Sequence, residues 1–97
     1  MNSETDIIAA HTHSAGHREE IERSDQCGCF FCLEIFSPKA IDDWIQENPD
    51  NKPDAKLTGE TAICPNCSVD AVIGSASGYP ITRDFLEQMH QHWFGGV

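Results

Sequence analysis

Two Cys-x-x-Cys pairs, Cys29-Phe30-Phe31-Cys32 and Cys64-Pro65-Asn66-Cys67, are the residues whose types and spacing could do chemistry in this chain. Two residues between cysteines let one tight backbone turn aim both sulfurs at a single point, and two such knuckles complete a tetrahedron of four sulfurs. Cys29, Cys32, Cys64 and Cys67 are therefore the expected ligands of a structural Zn²⁺ ion. Iron is compatible with the same tetrahedron. Four thiolates leave no open position for an activated water, so the expected role is cement rather than catalysis.

The other reactive residues carry weaker patterns. Cys27 is a surplus thiol: it stands free beside the knuckle, replaces Cys29 as a ligand, or is reactive. A redox or metal-trafficking reading draws on Cys27, Cys29 and Cys32 but leaves the second pair unexplained. His11, His13 and His17 form a loose run that suits either a transition metal or a solvated segment. A zinc-dependent hydrolase or nuclease would use Asp70, the carboxylate near the second knuckle, with a histidine. No histidine lies between Arg23 and His90, and the commoner role for Asp70 is to bond nearby backbone N–H groups. Neither a Gly-rich phosphate loop nor a Gly-x-Ser-x-Gly elbow is present.

Composition narrows the partner. The formal charge is −10 over 97 residues, and a four-thiolate zinc site would deepen it. A polyanion with six Lys and Arg repels phosphate backbones, which argues against nucleic acid; the acidity either simply keeps a small protein soluble or suits a basic protein partner or mimicry of nucleic acid. The opening Met1-Asn2-Ser3-Glu4-Thr5 has neither a basic start nor an apolar run, and no stretch suits a membrane span. With an odd count of five cysteines, the expected compartment is the reducing cytosol, where paired knuckles read as metal sites rather than disulfides.

The elements that must position the cysteines follow from pattern. Residues 1–13 lack periodicity and are expected to form a flexible tail, with one zinc-binding domain over 14–97. A short helix is expected from Ser14 or Gly16 to Arg23, docking weakly because Ile21 is its only large apolar residue. Cys27 to Phe36 reads as knuckle plus strand, since aromatic and β-branched residues dominate Phe30 to Phe36. Ser37 and Pro38 supply a cap and a first helical residue, and Ile41, Trp44 and Ile45 then form an i, i+3, i+4 stripe, predicting a helix over 38–46. Gln46 to Gly59 is a polar loop, Thr61–Ile63 a short strand, and Val69–Ile73 a buried turn of helix. The best-specified helix spans 82–94: Thr82 caps it, Ile81 can staple Leu86, and Phe85, Leu86, Met89 and Trp93 share a face. The sum is a small zinc-stabilised α+β domain, treble-clef or zinc-ribbon-like, with short strands and two or three helices. It is expected to act as an interaction module, with Trp44 or Trp93 either in the core or on a docking patch.

From His17 to Phe94 the chain resembles a family of small uncharacterised bacterial cytoplasmic proteins. The resemblance rests on His17-Arg18-Glu19-Glu20-Ile21, Cys27-Gly28-Cys29-Phe30-Phe31-Cys32, Thr61-Ala62-Ile63-Cys64-Pro65-Asn66-Cys67, Val69 to Ser75 and Gly78-Tyr79-Pro80-Ile81-Thr82. It implies two metal-binding knuckles at Cys29, Cys32, Cys64 and Cys67 and brings no activity with it. Family members often carry an aromatic where Asn66 stands and Gly where Ser68 stands.

Overall fold

Cys27–Cys29 is extended and lies at the centre of the molecule as strand β1. It pairs antiparallel with β2 (Ile35–Phe36) on one side and β5 (Val72–Gly74) on the other, with Cys27 opposite both Phe36 and Gly74. The first knuckle is thus the turn of a hairpin, and the second is followed directly by the strand that covers its other edge. A second, two-stranded sheet joins β3 (Trp44–Gln46) to β4 (Glu60–Ala62), and β4 runs into Cys64. The computed structural model describes residues 4–95. It is a small α+β architecture with three α-helices, short antiparallel strands and a zinc-ribbon-like cysteine cluster.

Helix α3 (Arg83–Phe94) forms as its sequence dictates. Thr82 Oγ1 accepts from Phe85 N at 3.2 Å, and Gly95 closes the C-terminus in a left-handed conformation at φ 61°. Phe85, Leu86 and Met89 are fully buried. The helix rests on bare backbone: a Cβ at Gly28 would lie 2.8 Å from Leu86 Cδ1 and 3.2 Å from Ile81 Cγ2. A side chain at Gly28 would force the Leu86 side chain to shift.

Four local expectations need correction. Residues 4–11 are not tail: they form α1 (Glu4–His11), whose Ile7 and Ala10 are buried on the side that packs against α3. Two small apolar groups one turn apart give little amphipathic signal, and the helix depends on the groove it fills. Helix α2 (Arg18–Glu22) is short, but Ile21 is completely buried rather than weakly docked. The expected helix over 38–46 stops after a single 3₁₀ turn at Pro38–Ala40, although Ser37 Oγ accepts from Lys39 N as a cap should. Trp44, Ile45 and Gln46 pair instead with Ala62, Thr61 and Glu60. A partner strand satisfies their backbone and outweighs a stripe of three apolar residues. Val69–Ile73 is likewise not helical. Its apolar end joins β5, where β-branched Val72 and Ile73 are fully buried against β1.

Candidate metal centre

Each Cys-x-x-Cys forms the same turn. In the first, Cys29 N donates to Glu34 O at 3.0 Å and Leu33 N returns to Cys29 O at 2.8 Å. In the second, Cys64 N donates to Val69 O at 3.0 Å and Ser68 N returns to Cys64 O at 3.0 Å. The N–H groups inside each turn point at sulfur. Cys29 Sγ accepts from Phe31 N and Cys32 N at 3.4 and 3.5 Å, and Cys64 Sγ accepts from Asn66 N and Cys67 N at the same 3.4 and 3.5 Å. The residue after each pair is left-handed, Leu33 at φ 69° and Ser68 at φ 68°. That conformation strains a residue with a side chain by about 1–2 kcal/mol. Ser68 therefore does bear a side chain where the turn favours Gly.

The two turns face each other with opposite ends matched. Cys29 Sγ lies 3.6 Å from Cys67 Sγ, and Cys32 Sγ lies 3.7 Å from Cys64 Sγ. One sulfur from each of the four cysteines lies within 4.8 Å of the others. A tetrahedron with metal–sulfur bonds of about 2.3 Å has edges of about 3.8 Å. All five cysteines are free thiols. The donor set, its closure and its size all fit one tetrahedral metal ion.

Burial and hydrogen bonds push the proton affinities of the sulfurs in opposite directions. Burial pushes the Cys29 thiol far up, against the N–H groups of Cys32 and Phe31, and the sulfurs of Cys64 and Cys32 push it further. Burial also raises Cys67. At Cys32 burial pushes upward, but bonds from the Asn66 amide, the Glu34 backbone and neighbouring thiols bring the thiol below its ordinary value. The Asn66 contact is a cross-knuckle one, with Nδ2 donating to Cys32 Sγ at 3.5 Å. A metal ion bound among the four sulfurs would deprotonate the coordinating thiols outright.

Aromatic rings hold the first knuckle against α3. Phe30 is buried, its N donates to Ala71 O at 2.9 Å, and its carbonyl accepts from His90 Nδ1 at 3.2 Å. Phe31 packs edge-on against Phe94 at 4.9 Å, and His11 lies over Trp93 at 3.9 Å. His90 thereby ties the helix to the knuckle. Nothing in its spacing announces this.

The remaining candidates lie outside the sulfur group. Cys27 is buried at the centre of the sheet, and burial pushes its thiol up to about 12. Asp70 is exposed between the second knuckle and β5; its charge acts on His11, whose imidazole burial holds below the ordinary value. His13 pairs with Glu20 at 3.0 Å. His17 is buried and bonded at both ring nitrogens. Among the described residues, the four cysteines are the group of metal-type donors that converges. Trp44 lies under the Arg18 guanidinium, 4.5 Å from its ring centre, whereas Trp93 is 37% exposed. No described helix is long and apolar enough to cross a membrane.

No family model matches the chain, and no curated protein or solved structure is similar to it.

Proposed function

We propose that this chain is a protein-interaction module built around one structural Zn²⁺ ion held by Cys29, Cys32, Cys64 and Cys67. The observation that carries the reading is the convergence of four sulfurs from two matched turns, with edges close to those of a zinc tetrahedron. The metal would join the β1–β2 hairpin to the β4–β5 connection, two segments that are remote in sequence. Its binding energy would then be folding energy. Zinc suits the site better than iron in a role without electron transfer, and four thiolates leave the ion no position for substrate.

Docking falls to the aromatic face beside the first knuckle. Phe31 and Trp93 are 36% and 37% exposed, and ring contacts link them through Phe94, Phe30 and His11. Rigid rings give contact area at low entropic cost, and they attract cations over their faces. The chain's charge of −10 selects the occupant: a basic protein segment carrying apolar anchors. Trp44 is not part of that face, because Arg18 of this chain already covers it.

Amide NMR of the zinc-loaded protein, titrated with a synthetic Arg/Leu peptide and with an acidic control peptide, tests the surface. The basic peptide is expected to shift Phe31, Trp93 and Phe94, to lose affinity with salt, and to lose most of its binding in Trp93→Ala. Salt-sensitive shifts scattered over the acidic surface and unchanged in Trp93→Ala would contradict the assignment while leaving the zinc centre untouched.

A further inference from the structure

His17 is the one buried imidazole of the described chain, 6% exposed, and its surroundings fix its tautomer. Nδ1 lies 2.6 Å from His13 O, a group that can only accept, so Nδ1 carries the proton. Nε2 lies 3.0 Å from Ala62 N, a group that can only donate, so Nε2 must be unprotonated. The ring thus takes the place of a neighbouring strand's carbonyl on the open edge of β4. Two further bonds fasten the same turn to the same strand: His17 N donates to Glu60 O at 2.9 Å, and Gly16 N donates to Thr61 Oγ1 at 2.7 Å. Ala62 ends β4, and Cys64 follows two residues later.

We propose that His17 is a pH-sensitive latch. As the neutral imidazole it fastens the α1–α2 segment to β4, and on taking up a proton at Nε2 it opposes a donor to the Ala62 N–H and releases that edge. The proton comes from solvent and binds the Nε2 lone pair; no covalent bond is broken, and the bond lost is the hydrogen bond from Ala62 N. The opened edge exposes the backbone of the strand leading into the second knuckle, a surface closed at neutral pH.

The charges facing the ring set the direction of the response. Burial lowers the proton affinity of His17 most strongly; the His13 carbonyl raises it, as do the Glu20 and Glu47 carboxylates, and His13's own ring lowers it. Around the same turn, Glu20 is paired with His13, Glu47 accepts from Thr61, and Glu60 is paired with Arg18. With the folded affinity below the unfolded value of about 6.5, the latch contributes fully above that pH. Its contribution is lost as pH falls below about 6.5 toward the folded value.

Amide exchange of the zinc-loaded protein, corrected for intrinsic rates, reads the latch directly between about pH 7.5 and 5.5. Ala62, His17 and Gly16 amides are expected to lose protection together by up to about tenfold, since a buried donor is left facing a donor. The Cys29 amide, bonded to Glu34 O within the first knuckle, stays protected. His17→Gln, which keeps an acceptor that does not titrate, is expected to flatten the response. If His17→Gln does not fold, ¹⁵N shifts of the wild-type ring decide: Nδ1-protonated at neutral pH, with a midpoint below about 6.5. Protection that is unchanged with pH, that falls equally at Cys29, or that falls equally in His17→Gln would overturn the proposal, as would a ring midpoint at or above about 6.5.

Discussion

In the first knuckle Phe30 is buried under α3 and its carbonyl is held by His90, whereas in the second Pro65 and Asn66 face solvent. The two turns nevertheless repeat one another bond for bond, including the two N–H groups on the leading sulfur and the left-handed residue that follows. The backbone and the cysteines therefore suffice to make the turn. The two residues between them are left to do something else: in one turn they anchor a helix, and in the other Asn66 reaches across to the opposite sulfur.

Substitution at matched positions separates these roles. Phe30→Ala should lower the unfolding free energy of the metal-loaded protein by about 3–5 kcal/mol, because a buried ring leaves a cavity between knuckle and helix. Pro65→Ala, at the same position of the other turn, should change it by less than about 0.5 kcal/mol. Denaturant titration measures both, and equal losses would mean that the second turn is also an anchor. A smaller effect sharpens the comparison. Ser68→Gly should stabilise the protein by about 1 kcal/mol, because glycine relieves the left-handed strain. Leu33→Gly relieves the same strain but removes a side chain packed against the core, so it should not stabilise. A gain at both positions, read from thermal melting, would show that the Leu33 side chain contributes nothing.

What could be read from sequence was whatever local chemistry decides. The Cys-x-x-Cys spacing forces the turns, Thr82 caps α3, and Gly95 ends it. Ser37 and Pro38 do start a helical turn, but local signals cannot tell how far it runs. Trp44–Gln46 is extended because residues 60–62 lie beside it, and a partner that distant leaves no mark on the segment itself. Helix α1 is hidden for a related reason: Ile7 and Ala10 are buried by α3, from the other end of the chain. The convergence of the four cysteines was legible. The buried sheet position of Cys27, the tie from His90 to Phe30 and the two-sided bonding of His17 were not, since each depends on a contact between distant segments.

The central claim is the four-thiolate metal centre, and the most direct measurement is elemental analysis with X-ray absorption on protein purified without added metal. The expected result is one zinc per chain with four sulfur neighbours at about 2.3 Å. Cys64→Ser should then be metal-free or unfolded, because three thiolates forfeit much of the folding energy the ion supplies. Nitrogen or oxygen in the inner shell, or a Cys64→Ser protein with full zinc and native melting, would contradict the account, whereas iron on four sulfurs would overturn the choice of zinc alone.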